Sequence, residues 1–421
     1  MFLYQLRDMQ IAALTPLRFW AQVGLQTLEN PLFCAVQNDF TRHVIKEMEI
    51  LEKHGRIYEK PVFNFTQTKF RGTTINVEER HIKAHPFCNL VHFDRKTDNE
   101  STTEHIQGDP KLLIIPPLSG HFSSILRSTI ESMLPTNDVF VMDWIDAKKV
   151  PLTEGTFDLE DQIVLLSNTI RRLGPDVHIL AVTQASFAAL AAIAHLAGEN
   201  DPAQPRSMTL MGGPIDARRS FVPLREMIKT HSIAWVKENH IQLVPPYYAG
   251  AFRPVYPGFL QLQNRMALTL ANQSTEIVKY FQHLVRGDEE SEEEHKKLYN
   301  EFLATMDVPA ELYLQFIEEA YAKCSLATKS MTCEGKKIDP ANIKRTALLT
   351  IEAELDDLSP PEQTRAAHDL CTALPDSMKQ AHLEIGVGHY GIFSGHKWRR
   401  NIQPTIHNFI RKHAQGLDET Q

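Results

Sequence analysis

The sequence has few cysteines, no long apolar run and no excess of basic charge. Its 421 residues include five cysteines, an odd number with no zinc-ligand spacing, which fits a reducing compartment better than a disulfide framework. They are Cys34, Cys88, Cys324, Cys333 and Cys371. No stretch of about 20 apolar residues occurs, so no membrane-spanning helix is expected. The net charge of −8 argues against nucleic-acid binding, which requires a basic surface.

The remaining composition is that of an ordinary globular protein. Hydrophobic residues make up 43% and charged residues 23% of the chain, which excludes disorder or coiled coil as the main architecture. Arg7 and Asp8 fall where a secretory signal would need its apolar core, so no such signal is expected. These features together predict a soluble cytoplasmic protein.

Six short apolar runs predict the strands of a parallel sheet covered on both faces. They lie at 111–120, 138–144, 176–182, 207–213, 345–354 and 382–389. Residues 159–174 have the 3.6-residue period of a covering helix, and the Ala-rich segment 185–198 predicts a buried one. The fold class is therefore α/β.

Helical patterns also flank and interrupt these runs. They lie at 2–30, 38–54, 222–237, 259–284, 294–305 and 309–326. Pro16 is expected to interrupt or restart the first helix. Residues 75–107 are polar and predict loops and edge strands, and the acidic run 288–294 predicts a solvated loop or helix start. The long helical segment before the last strands predicts a lid.

Thr183 lies at the sharp turn between a predicted strand and the buried helix. The segment Ala181-Val-Thr-Gln-Ala185 has small residues on both sides of the turn, as a nucleophile elbow requires. Thr183 could instead be an ordinary helix N-cap. Ser186, the nearest serine, lies one turn into the helix.

An acid and a histidine follow Thr183 in the chain order used by α/β-hydrolases. Asp356 and Asp357 come just after the predicted strand 345–354, and His389 ends the run 382–389. Open α/β sheets place their chemistry at these carboxyl ends of the strands. The order predicts a triad of nucleophile, acid and histidine.

A turn after the first apolar run offers an oxyanion hole. Because Pro116 and Pro117 lack an amide hydrogen, Leu118 or Ser119 must donate one hydrogen bond. The second donor is the residue after the nucleophile, Gln184.

Six segments, in this order along residues 1 to about 412, resemble the intracellular polyhydroxyalkanoate (poly(3-hydroxybutyrate)) depolymerases. They are IIPPLSGH, DVFVMDWIDAKKVP, AVTQAS, MGGPIDAR, EAELDDLS and GHYGIFSG. The resemblance implies an α/β-hydrolase fold with a mostly parallel central sheet, a helical lid insertion and an N-terminal helical extension. It implies an enzyme that cleaves the ester bonds of an intracellular storage polyester and needs no metal or organic cofactor.

The resemblance also implies the site residues. The family triad of Cys, Asp and His falls on Thr183, Asp356 and His389, with Asp357 as the less favoured acid. The threonine departs from the family pattern, since a hydroxyl ionises far less readily than a thiol. Three alternatives remain: a weak or inactive granule-associated homologue, a role for Ser186, and a small-ester hydrolase.

An apolar polyester also requires exposed apolar groups on the protein. The candidates are the first helix with Phe19 and Trp20, and the Pro-rich segment 243–259, which could equally pack under the lid. The candidate substrate-binding residues of that segment are Tyr247, Tyr248, Phe252 and Tyr256. The expected partner is a polyester granule surface rather than nucleic acid, and the first helices could also serve a homo-oligomer interface.

These inferences divide the chain into four parts. We expect an N-terminal helical and loop extension at 1–105, the first part of the hydrolase core at 106–219, the helical lid at 220–340 and the rest of the core at 341–412.

Overall fold

A computed structural model describes residues 1–28, 44, 45, 48, 58–269 and 292–414. Apart from residues 44, 45 and 48, the helix predicted at 38–54 lies outside the described residues, as do Cys34 and the first part of the acidic run. The other four cysteines are buried free thiols.

Fourteen strands are described. They are β1 (Gln67–Phe70), β2 (Thr73–His85), β3 (Cys88–Lys96), β4 (Lys111–Ile115), β5 (Asp138–Trp144), β6 (Val177–Val182), β7 (Ser207–Met211), β8 (Gln242–Leu243), β9 (Pro254–Tyr256), β10 (Val308–Pro309), β11 (Thr332–Cys333), β12 (Lys336–Lys337), β13 (Ala347–Ala353) and β14 (Lys379–Glu384).

Nine of these strands form one central sheet in the order β1-β2-β3-β5-β4-β6-β7-β13-β14. The six strands from β5 to β14 pair in parallel, and each overlaps one of the six apolar runs. Their interior strands are buried along their whole length, because helices cover both faces. This is the α/β-hydrolase architecture, and that prediction is confirmed.

The antiparallel edge of the sheet confirms the edge strands predicted within 75–107 but departs from the predicted helical and loop extension. Strands β1, β2 and β3 pair antiparallel, and β3 joins β5, so residues 67–96 belong to the sheet rather than to a helical and loop extension. The polar residues of β2 face solvent at this edge, which is why its sequence lacks a continuous apolar run. Residues 100–107, predicted as loop or edge strand, form a short helix.

The described helices flank the sheet and occupy much of the segment 220–340 that was predicted as a lid. They are α1 (Phe2–Leu28), α2 (Glu100–Gln107), α3 (Arg127–Met133), α4 (Leu159–Leu173), α5 (Ala185–Gly198), α6 (Pro223–Thr230), α7 (Ile233–His240), α8 (Gly258–Thr269), α9 (Glu292–Leu303), α10 (Ala310–Ile317), α11 (Ser325–Thr328), α12 (Ala366–Leu370), α13 (Gly395–Lys397) and α14 (Gln403–Ala414). No described helix is long and apolar enough to cross a membrane.

Helices α4 and α5 flank the central strands as the sequence predicts. A reciprocal capping box between Asp158 and Asp161 starts α4, and Gly174 ends it. Nearly every residue of α5 is buried, since its alanines allow close packing. This helix therefore holds the turn before it in a fixed position.

Pro16 does not interrupt α1, which contradicts the prediction. The helix runs unbroken from Phe2 to Leu28 with Pro16 inside it. Pro16 has no amide hydrogen, so the carbonyl one turn before it loses its helical hydrogen bond, but this face of the helix is exposed and water can reach that carbonyl. Beside it, the Thr15 hydroxyl donates to the Ile11 carbonyl at 2.8 Å. The helix is anchored by Tyr4, which is buried and donates a hydrogen bond to the Asp307 carboxylate next to β10.

Candidate active site

The turn between β6 and α5 holds Thr183 in an unusual backbone conformation. Its φ is 54°, in the left-handed region that a β-branched residue rarely adopts. The Thr183 amide donates to the Met211 carbonyl at 2.6 Å, and its carbonyl accepts from the Ser186 amide at 3.0 Å. Such strain persists only where the surroundings impose it, and it concentrates at functional sites.

The N-cap interpretation of Thr183 is wrong. Gln184 occupies the cap position of α5, and no side chain caps the helix there. Thr183 precedes that position and has a left-handed backbone conformation. Its side chain is thus presented at the turn rather than used to start the helix.

Ser186 has a structural position. It is fully buried, and its hydroxyl donates to the Ala181 carbonyl at 3.0 Å and accepts from the Met211 amide at 3.2 Å. Gly213 packs against it so closely that an added Cβ would lie 2.4 Å from the Ser186 Cβ and 2.7 Å from the Thr183 carbonyl oxygen. The hydroxyl therefore ties β6, α5 and β7 together.

Asp356 and His389 meet across the ends of β13 and β14. The Asp356 Oδ2 lies 2.7 Å from the His389 Nδ1, and both residues are buried. The Asp356 Oδ1 accepts the amides of Leu358 and Ser359, each at 2.9 Å. Strand β14 ends at Glu384, five residues before His389, which lies in a 3₁₀ turn rather than at the strand end.

Thr183 and His389 line the same cavity, which has a volume of about 160 Å³. Within the described residues, the Thr183 hydroxyl makes no hydrogen bond of 3.5 Å or less to the imidazole. Nucleophile–base contacts are often looser without substrate. Asp357 also lines the cavity, whereas Asp356 lies behind His389.

The predicted oxyanion residues Leu118, Ser119 and Gln184 line this cavity too. In the described part of the chain, the amides of Leu118 and Gln184 have no hydrogen-bond acceptor. The turn at 116–120 is fixed from two sides: the Trp144 Nε1 donates to the Pro116 carbonyl at 2.8 Å, and the Met306 amide donates to the Gly120 carbonyl at 2.8 Å. Two fixed, unengaged amides at one cavity are what an oxyanion hole requires.

Residues of the segment 220–340, predicted as the lid, also line the cavity. Its polar lining includes His240, Tyr256, Gln261, Asn264 and Tyr313. Four of these residues, His240, Gln261, Asn264 and Tyr313, are not among the site residues predicted from the sequence. Burial lowers the pKa of His240 to about 4, so its ring is neutral near pH 7. No local pattern singles these residues out, since they converge from separate helices of the lid.

Of the four predicted substrate-binding residues, Tyr256 lines the cavity and the other three lie elsewhere. Tyr247 is exposed and donates to the Asp8 carboxylate of α1. Tyr248 is half-buried against the core, and Phe252 is exposed with φ of 65°. The small antiparallel sheet β8-β9-β10 turns this segment so that Tyr256 points inward.

The described residues contain no group of three His, Cys, Asp or Glu side chains arranged to hold a metal.

Comparison with known proteins relates the chain to polyhydroxyalkanoate metabolism. Residues 212–414, just under half of the chain, match a family model described as PHB de-polymerase C-terminus. Two curated relatives are poly(3-hydroxyalkanoate) polymerase subunits PhaC, from Haloferax mediterranei and Haloarcula marismortui. The first is 26% identical over 44% of this chain and 36% of its own length. The second is 26% identical over 27% of this chain and 23% of its own length.

Solved structures similar to this one include enzymes of several activities. One is a thermophilic esterase from Thermogutta terrifontis, 14% identical, with 83% of this chain and 98% of that chain covered and a TM-score of 0.44. Another is the putative non-heme bromoperoxidase BpoC from Mycobacterium tuberculosis, 15% identical, with 79% and 99% covered and a TM-score of 0.44. The strand order of the central sheet and the tight turn at Thr183 define the fold independently of these distant structures.

Proposed function

We propose that this chain is a carboxylic ester hydrolase that degrades polyhydroxyalkanoate, an intracellular poly(3-hydroxybutyrate) depolymerase with Thr183 as its nucleophile. The observation that carries the proposal is the strained Thr183 turn, which lines one cavity with the His389 imidazole that Asp356 holds. The family model described as PHB de-polymerase C-terminus supports the substrate class.

Acylation begins when the His389 Nε2 removes the proton of the Thr183 hydroxyl. The Thr183 Oγ1 attacks the carbonyl carbon of a polymer ester, and the amides of Gln184 and of the 118–119 turn stabilise the oxyanion. The carbon–oxygen bond to the leaving chain then breaks, and that alkoxide takes the proton from the His389 Nε2. The product is an ester between Thr183 and the acyl fragment, together with a shortened hydroxyl-ended chain.

Deacylation repeats the steps with water. His389 removes a proton from a water molecule as its oxygen attacks the acyl-threonine carbonyl, and the Thr183 Oγ1 leaves and regains the proton from His389. Asp356 accepts a hydrogen bond from the His389 Nδ1, which fixes the tautomer and stabilises the imidazolium formed in both steps.

A threonine in the family's cysteine position changes the demand on the base. A cysteine is partly ionised near neutral pH, whereas a hydroxyl must lose its proton during attack. The fixed turn and the buried aspartate–histidine pair suit this demand, since they orient the base before substrate arrives.

The surface of α1 supports association with a polyester granule. Large apolar side chains project from it into solvent, including Phe2, Met9, Leu17, Phe19 and Trp20. Exposed apolar clusters of this kind mark binding to apolar partners.

The curated relatives favour a second candidate, an acyl transferase that extends the polymer. They are polymerase subunits, although the match spans about a third or less of their length. The same triad would attack a 3-hydroxyacyl thioester, release the thiol, and pass the acyl group to a chain-end hydroxyl instead of water.

One experiment separates the two candidates. Purified protein is incubated with amorphous poly(3-hydroxybutyrate) granules and, separately, with 3-hydroxybutyryl-CoA plus a hydroxyl-ended oligomer. The depolymerase proposal predicts release of 3-hydroxybutyrate or its oligomers from granules, abolished by His389→Ala. Thiol release with oligomer growth, and no release from granules, would support the polymerase. Equal trace turnover by wild type and His389→Ala in both incubations would overturn both candidates.

A further inference from the structure

Three rings of the lid form a connected wall of the cavity. The His240 ring stacks on the Tyr256 ring, with a centroid distance of 5.1 Å and an angle of 10° between the ring planes. The centroids of the Tyr256 and Tyr313 rings lie 4.2 Å apart. The Asn264 Nδ2 donates to the Tyr256 hydroxyl at 3.0 Å. All four residues line the cavity that holds Thr183 and His389. The position of the imidazole is therefore set by packing from several helices.

One nitrogen of His240 is engaged and the other is not. Its Nδ1 lies 3.0 Å from the Tyr313 hydroxyl. Among the described residues, the Nε2 has no hydrogen-bond partner. In a neutral imidazole one nitrogen carries the hydrogen and the other accepts. We assign the Tyr313 hydroxyl as the donor to the Nδ1, which leaves the N–H at the Nε2.

This N–H belongs to a cavity lined by both polar and apolar side chains. Much of the cavity is apolar, with contributions from Leu118, Val222, Leu224, Phe316 and Ile317. A donor in such surroundings is costly when unpaired and gains most when a ligand oxygen pairs with it. A plain hydrocarbon acyl chain has no oxygen beyond its carbonyl, so it would leave this donor unpaired.

We propose that His240 is a specificity-determining residue that donates a hydrogen bond from its Nε2 to an oxygen atom of the acyl chain beyond the reacting carbonyl. The inference rests on the proposed function, because it places the reacting ester at Thr183. The substrate class is then 3-hydroxyacyl and 3-acyloxyacyl esters rather than plain fatty-acyl esters. A polyester of 3-hydroxyacids carries such an oxygen in every repeat unit.

The test compares 4-nitrophenyl 3-hydroxybutyrate with 4-nitrophenyl butyrate, which differ in one oxygen. Wild type should prefer the hydroxy ester in kcat/KM. His240→Phe keeps a ring in the stack but removes the donor, and should reduce kcat/KM for the hydroxy ester by roughly 10–100-fold, with butyrate changed by less than about threefold. His240→Gln retains an N–H donor and should recover part of the preference.

A matched substitution controls for general effects on the lid. His231→Phe changes a histidine that packs against Trp235 outside the cavity lining, and should leave the preference intact. Thermal unfolding of each variant identifies loss of folding. An equal loss on both esters in folded His240→Phe, or an unchanged preference, would overturn the inference.

Binding distinguishes failure of this inference from failure of the proposed function. If wild type turns over neither ester, the proposed function fails. The role of His240 is then read from ligand-observed NMR with methyl 3-hydroxybutyrate and methyl butyrate. A preference for the hydroxy ligand that His240→Phe removes supports the assignment, and equal binding of the two ligands by wild type contradicts it.

Discussion

The Nδ1 of His389 lies 2.7 Å from the Oδ2 of Asp356, and this contact joins residues 33 positions apart in the chain. The other Asp356 oxygen is held by two backbone amides of the turn that follows it. These contacts hold the carboxylate in one orientation, with its Oδ2 directed at the imidazole. Asp357, next in the chain, lines the cavity instead.

This contact predicts unequal effects of two neighbouring substitutions. Asp356→Asn should reduce kcat by about 10³–10⁴-fold, because an amide no longer stabilises the imidazolium or the correct tautomer. Asp357→Asn is the matched control and should change kcat by less than about tenfold. The measurement is steady-state hydrolysis of a chromogenic ester. The reverse order of effects would assign the acid to Asp357.

Removing the Ser186 hydroxyl should lower the stability of the protein rather than its catalytic rate. Ser186→Ala loses a buried donor and leaves the Met211 amide without its side-chain acceptor, which should lower the free energy of unfolding by about 1–3 kcal/mol. The kcat of the folded fraction should stay within about threefold of wild type, whereas Thr183→Ala should lose activity. Urea unfolding with kinetics on the same samples checks both. Abolished activity in stable Ser186→Ala would make Ser186 the nucleophile.

The close approach of Gly213 to the elbow predicts intolerance of a single methyl group. An added Cβ would lie under 3 Å from both the Ser186 Cβ and the Thr183 carbonyl oxygen, so Gly213→Ala should cost roughly 1–3 kcal/mol and reduce activity. Gly108→Ala is the control, since its Cβ would meet nothing closer than 3.6 Å. Thermal unfolding compares the two. Equal melting temperatures would contradict the packing described here.

Glu301 predicts a pH dependence of stability. Burial raises its pKa to about 7, although Arg127 partly offsets this. The folded state therefore binds a proton more tightly than the unfolded chain, so the contribution of Glu301 to stability is fully present below about pH 4.5 and is lost as the pH rises through 7. We therefore compare the free energies of unfolding of wild type and Glu301→Gln. The value for wild type minus that for the variant should fall by up to about 3 kcal/mol as the pH rises over this range.

Urea unfolding at a series of pH values measures this difference. Glu131→Gln, on an exposed position of α3, should show no comparable slope. A difference for Glu301→Gln that rises with pH would mean that Arg127 outweighs burial.

The parallel sheet and the elbow could be predicted from the sequence because each leaves a local signal. Buried parallel strands read as continuous apolar runs, and the small residues around Thr183 mark a tight turn. The antiparallel edge left a weaker signal, since β2 alternates polar residues toward solvent. The prediction for Pro16 is wrong because an exposed helix tolerates a missing hydrogen bond better than a buried one.

The lid side of the site could not be predicted for a different reason. His240, Tyr256 and Tyr313 lie in three separate elements, and their meeting depends on how those elements pack. Tyr247 and Phe252 carry the same aromatic signal as Tyr256 in one Pro-rich segment, yet the pairing of β8 with β9 turns them to the surface. Composition indicates an aromatic segment, but tertiary packing decides which ring reaches the cavity.

The most direct test of the central claim is detection of an acyl group on Thr183. Wild-type protein is mixed with a chromogenic 3-hydroxybutyryl ester, quenched in acid within the first turnover, digested and analysed by mass spectrometry. The account predicts a 3-hydroxybutyryl adduct on the peptide containing Thr183, absent in Thr183→Val and His389→Ala. Turnover that persists in Thr183→Val, or an adduct on Ser186 or another residue, would contradict it.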